Sequence, residues 1–433
     1  MNTSLIKILL LCFALTTLCS CASKTPPDKS GTIVSMQIID RNGFTETISN
    51  ADRLSSYQTT NFLSPQPYRK VLRVFGRNAD GQSTSKISSY HENGHLWQYL
   101  EVVDGRAHGM YREWFPNGQV KIEAPLIEGV ADIHDLAQST WVFEGICKVW
   151  DDQGHLIAEY NYSKGLLQDL ARYFFPSGTL QKSIPYIQGE IHGTMRVFDE
   201  NGFVIEEISY VKGEKEGHAI AYWTPDVVLS KEFYRHDLLL SASYYNATGL
   251  CIAEIKEGKG KKAQFKDNNL SSLITFSNGV PEGEVQLFYP NGTLHCSYTL
   301  KEGKKNGDEW EYYPSEEGSL KPKLCVHWNE DSLQGQVKTW YPNGQKESQR
   351  EINGNKKQGV SFAWYKNGDL MLTEEYENDL LVKGSYFKKA DKQAVSKIDS
   401  GKGVASFYSS DGIFLKKVSY EKGRPQLTDG TFN

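Results

Sequence analysis

Met110-Tyr111-Arg112-Glu113-Trp114-Phe115-Pro116-Asn117-Gly118 decides the fold of this chain: apolar and polar residues alternate up to an aromatic, and then the run breaks at Asn-Gly. Alternation with period two reads as strand, and Asn-Gly between alternating runs is the strongest short-range hairpin signal. A type I′ turn, with positive φ at Asn and Gly both, is therefore expected there. Further copies are Tyr289-Pro290-Asn291-Gly292, Tyr341-Pro342-Asn343-Gly344 and Tyr365-Lys366-Asn367-Gly368. A second half-motif is Tyr186-Ile187-Gln188-Gly189 with Gly193, repeated as Tyr210-Val211-Lys212-Gly213 with Gly217.

Eleven glycines carry the period: Gly94, Gly118, Gly154, Gly178, Gly202, Gly249, Gly292, Gly318, Gly344, Gly368 and Gly412, at intervals of 24, 36, 24, 24, 47, 43, 26, 26, 24 and 44. A fixed period of this length marks a repeat array. The long intervals are near doublets, with a degenerate copy at Tyr222-Trp223-Thr224-Pro225-Asp226 in the first. Only the 36-residue interval demands an insertion, around Ala131 to Ser139. The expectation is an all-β chain, an elongated array of ~24-residue β-hairpin repeats forming one long twisted antiparallel sheet with aromatics stacked in files, in about thirteen or fourteen units.

The Tyr-x-Asn-Gly-x-Leu and Tyr-x-x-Gly-x-x-x-Gly units resemble the bacterial variant of the membrane occupation and recognition nexus (MORN) repeat, over 84–425. The Gly-x-Trp and His-Gly pairs of the eukaryotic repeat survive only as Ala107-His108-Gly109 and Ile191-His192-Gly193. The resemblance implies hairpin arrays that act as scaffolds or recognition surfaces, some bacterial members being described as antitoxin-type. It brings no catalytic residues.

Residues 1–20 read as a secretory signal, with Lys7, an apolar run from Ile8 to Leu15, and Leu18-Cys19-Ser20-Cys21. The run is too short to span a bilayer. Cys21 then becomes the acylated first residue of a lipoprotein, and Ala22 at the next position resembles those sorted to an outer membrane. The rival is ordinary cleavage after Ala22, with Ser20 and Ala22 as the small pair. Residues 21–30 form a tether, 31–83 an N-terminal cap over the first sheet edge, 84–425 the repeats and 426–433 a tail.

The formal charge of −5 argues against nucleic acid. Basic turns at Lys256, Lys259, Lys261, Lys262, Lys301, Lys304, Lys305, Lys356 and Lys357 could face anionic head groups or glycans. The neighbouring Asp331, Glu374, Glu375 and Glu377 interrupt any strip, and wet turns explain the lysines. Among the cysteines left after export, Cys147, Cys251, Cys296 and Cys325, mostly buried free thiols are expected, with Cys296–Cys325 the one pair to test.

No constellation reads as an enzyme's, and no cofactor, metal or small-molecule substrate is expected. His108 and His192 are about 30 Å apart by strand counting, and His95 and His155 read as turn residues. Asp132-Ile133-His134-Asp135 is the one dense group of possible zinc or calcium ligands, and matches no ligand frame. Gly258-Lys259-Gly260-Lys261-Lys262 lacks the Ser or Thr and the helix of a phosphate loop. Glu206-Glu207 and Glu374-Glu375 point to opposite faces of a strand. A file of Trp114, Trp150, Trp223, Trp310, Trp340 and Trp364 serves packing or sugar stacking, packing taking the larger share. The functional expectation is an envelope scaffold that binds a protein or glycan. The alternatives are an immunity or antitoxin-type protein neutralising a toxin, or, remotely, an envelope-polymer hydrolase working through Asp132 or His134.

Overall fold

A computed structural model describes residues 32–315 and 318–426. The proposed signal, Cys21, the tether and the end of the tail lie outside the described residues. Among the described residues, helix is confined to Ala51–Ser55 and Asp135–Gln138, and the strand pairs are antiparallel. The chain divides into two compact units, Met1–Lys215 and Glu216–Asn433.

The first unit opens with a hairpin, Ile33–Ile39 against Thr45–Ile48. Val71–Arg77 pairs with the other side of Ile33–Ile39, and Ser83–Tyr90 pairs with Val71–Arg77, so residues 33–77 extend the repeat sheet by strand pairing. Thr45–Ile48, four residues long, is the short strand at that edge. Beyond it, Gln58 accepts the Ile33 amide at 3.4 Å through its side-chain oxygen. Asn50 caps the helix Ala51–Ser55, accepting from the amides of Asp52 and Arg53, and the helix buries Leu54 against Ile33, Met36 and Ile48. From Ser83 onward hairpin follows hairpin, as in Leu96–Val103 with Arg106–Trp114 and Val120–Glu128.

Two kinds of turn alternate, and the Asn-Gly turns are not the kind expected. Gly118 has φ 87°, whereas Asn117 stays outside the positive-φ region. Gly118 N–H donates to Phe115 O at 2.9 Å and Phe115 N–H to Gln119 O at 2.8 Å, a longer turn that ends in a left-handed glycine. The ladder shifts register at this place, between Glu113 and Trp114. Asn is there for its side chain: Asn117 Oδ1 accepts the Gln119 amide at 3.0 Å. In other copies an acid at the turn's first position does the same work, Asp199 Oδ1 accepting from Asn201 and Phe203. The type I′ turns sit at the opposite strand ends, where Gln188 and Gly189 have φ 50° and 84°. The second glycine of the motif follows a bulge: His192 N–H donates to Pro185 O at 3.0 Å, and Gly193 takes φ 109°.

Both rows of turns are tied from hairpin to hairpin. On the type I′ row the turn glycine donates to the preceding hairpin, as Gly165 to Phe143 O, Gly189 to Leu167 O and Gly213 to Ile191 O, at 2.8–2.9 Å. On the other row of the second unit a tyrosine hydroxyl reaches the backbone of the next turn: Tyr313 to Trp340 O, Tyr341 to Trp364 O and Tyr365 to Phe387 O.

The buried face of the sheet is lined by small side chains. In the first unit these are Ala124, Cys147, Ala158 and Ala171 before Ile184, Met195 and Ile208; in the second, Ala219, Ala242, Ala253, Ala263 and Ala405. In the second unit a strand also reaches past its neighbours, Leu381 N–H donating to Gly423 O at 3.1 Å. Fully buried aromatics are tyrosines, Tyr90, Tyr244, Tyr365 and Tyr386, placed where their hydroxyls find acceptors.

Candidate functional site

The insertion in the 36-residue interval builds relief on the sheet of the first unit. Residues 129–141 leave the sheet and return. Trp141 is buried, packs at 4.7 Å from the Tyr111 ring and donates from its indole to Val130 O at 3.0 Å. Thr140 Oγ1 accepts the Val130 amide, and the side chains of Gln98 and Gln138 both donate to Ile133 O. Ile133 is buried over Leu100, Tyr111 and Cys147, and Ala137 is buried as well. Leu136 is 79% exposed at the rim.

Between this insertion and the first hairpin lies an open groove of about 910 Å³. Val71, Arg73, Ser89 and Gln98 form its floor, Asp40, Arg41 and Gly43 one wall, and residues 132–136 the other. Ser89 faces Gln98 and Tyr90 faces Leu96, so Trp97 is a bulged residue, and it lines the same groove as its neighbour Gln98. Its ring stacks on His91 at 5.5 Å, with the Arg69 guanidinium 5.8 Å from its centroid. Lys70 lies 5.1 Å from the Tyr68 ring centroid, and burial pushes its ammonium below the usual lysine range.

Asp132 and His134 each have a partner of their own in the insertion and its floor. The Asp132 carboxylate accepts from Arg73 at 2.9 Å and from the Ile133 amide at 2.7 Å. His134 Nδ1 accepts the Ala137 amide as the cap of Asp135–Gln138, and its Nε2 stands 3.9 Å from Asp132. No group of three His, Cys, Asp or Glu among the described residues is arranged to hold a metal. His95 Nδ1 and His108 Nδ1 lie 2.8 and 2.9 Å from Pro116 O and Ile127 O, and His155 pairs with Asp151. Gly258 is the second residue of a type I′ turn, after Glu257, with φ 73°, and Lys259 to Lys262 run into the next strand.

Several of the basic turn residues are neutralised in place. Lys262 meets Glu232 at 2.8 Å, Lys305 meets Glu309 at 2.7 Å, and Lys256, Lys261 and Lys304 pair with Glu254, Glu284 and Glu330. The tryptophans separate by role. Trp114 is buried with Tyr90 and Leu96, whereas half-buried Trp310 and Trp340 stack on each other at 5.7 Å and Trp364 on Phe362 at 5.8 Å.

Cys147, Cys296 and Cys325 are buried and free, as expected for most of the thiols, and Cys251 is free and exposed. The pairing of Cys296 with Cys325 is excluded by face. Cys296 opposes Glu311 and Cys325 opposes Trp310, and adjacent residues of one strand point to opposite sides.

The groove's basic side chains and Trp97 carry no local motif. They come from the first hairpin, the loop before Val71 and the first repeat, and only the strand order brings them together. The described residues therefore form an all-β hairpin-repeat array, with a built-up groove in the first unit. Four of its segments, residues 107–127, 191–212, 281–301 and 333–353, match the MORN repeat variant. The comparison with curated proteins gives no match.

Among solved structures, a Photorhabdus luminescens Tc holotoxin pore chain aligns over 91% of this chain at 11% identity and TM-score 0.14. This chain spans 24% of that one's length. A porin-like protein from Bacteroides uniformis aligns over 66% of this chain and 95% of its own, at 8% identity and TM-score 0.14. Neither likeness bears on fold or function at that score.

Proposed function

We propose that this protein is a non-enzymatic scaffold, exported and lipid-anchored through Cys21 at a cell envelope, which binds a protein or glycan partner. The observation that carries the reading is the tying of successive turns within each unit, which fixes the spacing of neighbouring hairpins and their outward side chains. Such an array spends its order on presentation, and the groove of the first unit interrupts it with a concave surface that mixes apolar and charged side chains. The MORN repeat variant, found in four repeats, suggests the same kind of role. Localisation at an outer membrane rests on residues 18–22 of the sequence.

The test is fractionation of cells carrying the full chain or Cys21→Ser, followed by protease treatment of intact and lysed cells. The native chain is expected with the membranes and the variant in the soluble fraction. A Cys21→Ser chain that stays with the membranes, or a native chain that is soluble, overturns the anchor. Digestion on intact cells would set the array facing outward; protection until lysis would make it a periplasmic or inward-facing scaffold.

A further inference from the structure

Asp40 and Asp132 are engaged within the groove, and of its four cations only Arg73 has a close carboxylate partner among the described residues. Asp40 Oδ1 accepts the amides of Asn42 and Phe44 in its own turn, and Asp132 is held by Arg73. Asp135 lies in the first turn of its helix. Among the described residues, Arg41 and Lys70 have no carboxylate partner, and Arg69 has only Glu92 at 3.8 Å with both side chains more than half exposed. Among the described residues the Trp97 indole N–H likewise has no acceptor, its ring contacts being His91 and Arg69. The surface is thus rich in unfilled donors, and a carboxylate ligand would supply the acceptors.

The floor decides between a glycan and a peptide. Ile39, Val71, Ser89 and Gln98 are opposed in register across four strands, so their main-chain groups are committed to the ladder. A peptide recognised by a sheet adds to an exposed edge, and this groove lies on a face. Sugars are read instead by side-chain donors and acceptors beside apolar and aromatic surface. Trp97, His91 and the exposed Leu136 provide that surface, and a volume near 910 Å³ lies within the usual range of ligand pockets, about 300–1,000 Å³.

We infer that the groove binds an anionic glycan, a short run of uronic acid residues whose carboxylates meet Arg41, Arg69 and Lys70 while Trp97 donates to a ring hydroxyl. The inference rests on the scaffold reading and names its ligand class.

Calorimetry on the purified full chain in detergent tests it, with tri-galacturonic acid as probe. Maltotriose serves as the neutral control, hexa-aspartate as the acidic peptide and inorganic phosphate as the free anion. Binding of tri-galacturonic acid is expected, weakening as salt rises. Lys70→Gln and Arg41→Gln should each weaken it about tenfold or more, and Trp97→Phe, which keeps a ring and removes the N–H, should weaken it less. Arg41 is on an exposed turn, so it carries the test if Lys70→Gln fails to fold by circular dichroism. Equal affinity for maltotriose, unchanged affinity in Arg41→Gln, or no binding at all overturns the inference. Hexa-aspartate binding as tightly would assign the groove to an acidic peptide, and phosphate competing as well would assign it to a free anion; either overturns the glycan. Each failure leaves anchoring through Cys21 standing, so the scaffold reading falls only by its own experiment.

Discussion

At the scale of single residues the array is secured by polar side chains that are buried because they are satisfied. Tyr365 is fully buried and donates at 2.7 Å to Phe387 O in the next turn. Tyr365→Phe keeps the packing and strands that carbonyl, at a cost of about 1–3 kcal/mol. A lower thermal midpoint with faster amide exchange around residue 387 is expected; unchanged exchange there would show that the hydroxyl is idle. Glu232 is the charged counterpart. Burial alone would raise its carboxyl, but the charge and hydrogen bond of Lys262 and the hydroxyls of Tyr244 and Tyr234 outweigh burial and hold it below the usual carboxylate range. A depressed folded value contributes stability above the unfolded pKa, near 4.3, and loses it as pH falls through the folded value. The thermal advantage of the native chain over Glu232→Gln should be full at neutral pH and should shrink once pH drops below that unfolded value. A gap that is constant with pH would sink the assignment.

At the scale of elements, the hairpin turns do not tolerate change equally. Gly401 and Gly303 both occupy the second position of type I′ turns, with φ 74° and 76°. A Cβ on Gly303 meets nothing within 4 Å, so Gly303→Ala bears only the backbone term, somewhat over about 1 kcal/mol. A Cβ on Gly401 would come within 2.6 Å of the Gly423 nitrogen, in the stack where Leu381, Gly401 and Gly423 exchange hydrogen bonds. Gly401→Ala should therefore lower the thermal midpoint further than Gly303→Ala and loosen amide protection around residues 381 and 423. Equal shifts from the two substitutions would mean that the stack yields without cost.

The same turns show what the sequence discloses. Strand and turn positions were legible because period-two alternation and the glycine spacing are local. The turn type at Asn117 was misread because Asn was credited with tolerating positive φ, when its side chain caps the Gln119 amide instead. The insertion was legible as a length anomaly. Its groove was not, because Arg41, Lys70 and Trp97 become neighbours only through the pairing of Ile33–Ile39 with Val71–Arg77 and through the bulge that re-aims Trp97.

For the whole molecule, the cysteines give a reading that joins maturation to fold. Burial pushes the thiols of Cys147 and Cys296 up to about 12, and that of Cys325 upward, so little thiolate forms on any of them near neutral pH. Cys251 is exposed, with its sulfur 3.7 Å from Ala253 O. An alkylating reagent should therefore modify the folded mature protein once, at Cys251, and four times after unfolding without reductant, as read by intact mass. Two labels fewer in the unfolded chain would mean a disulfide, which the opposite faces of Cys296 and Cys325 forbid for that pair. A second fast label on the folded chain would mean that one of the three buried sites opens. The unfolded count also reports on the amino terminus. If the first twenty residues are removed and Cys21 is thioether-linked, neither the lost cysteines nor Cys21 contributes, and the count stops at four. A fifth label, mapped to Cys21, would show a free thiol where the scaffold reading places the anchor.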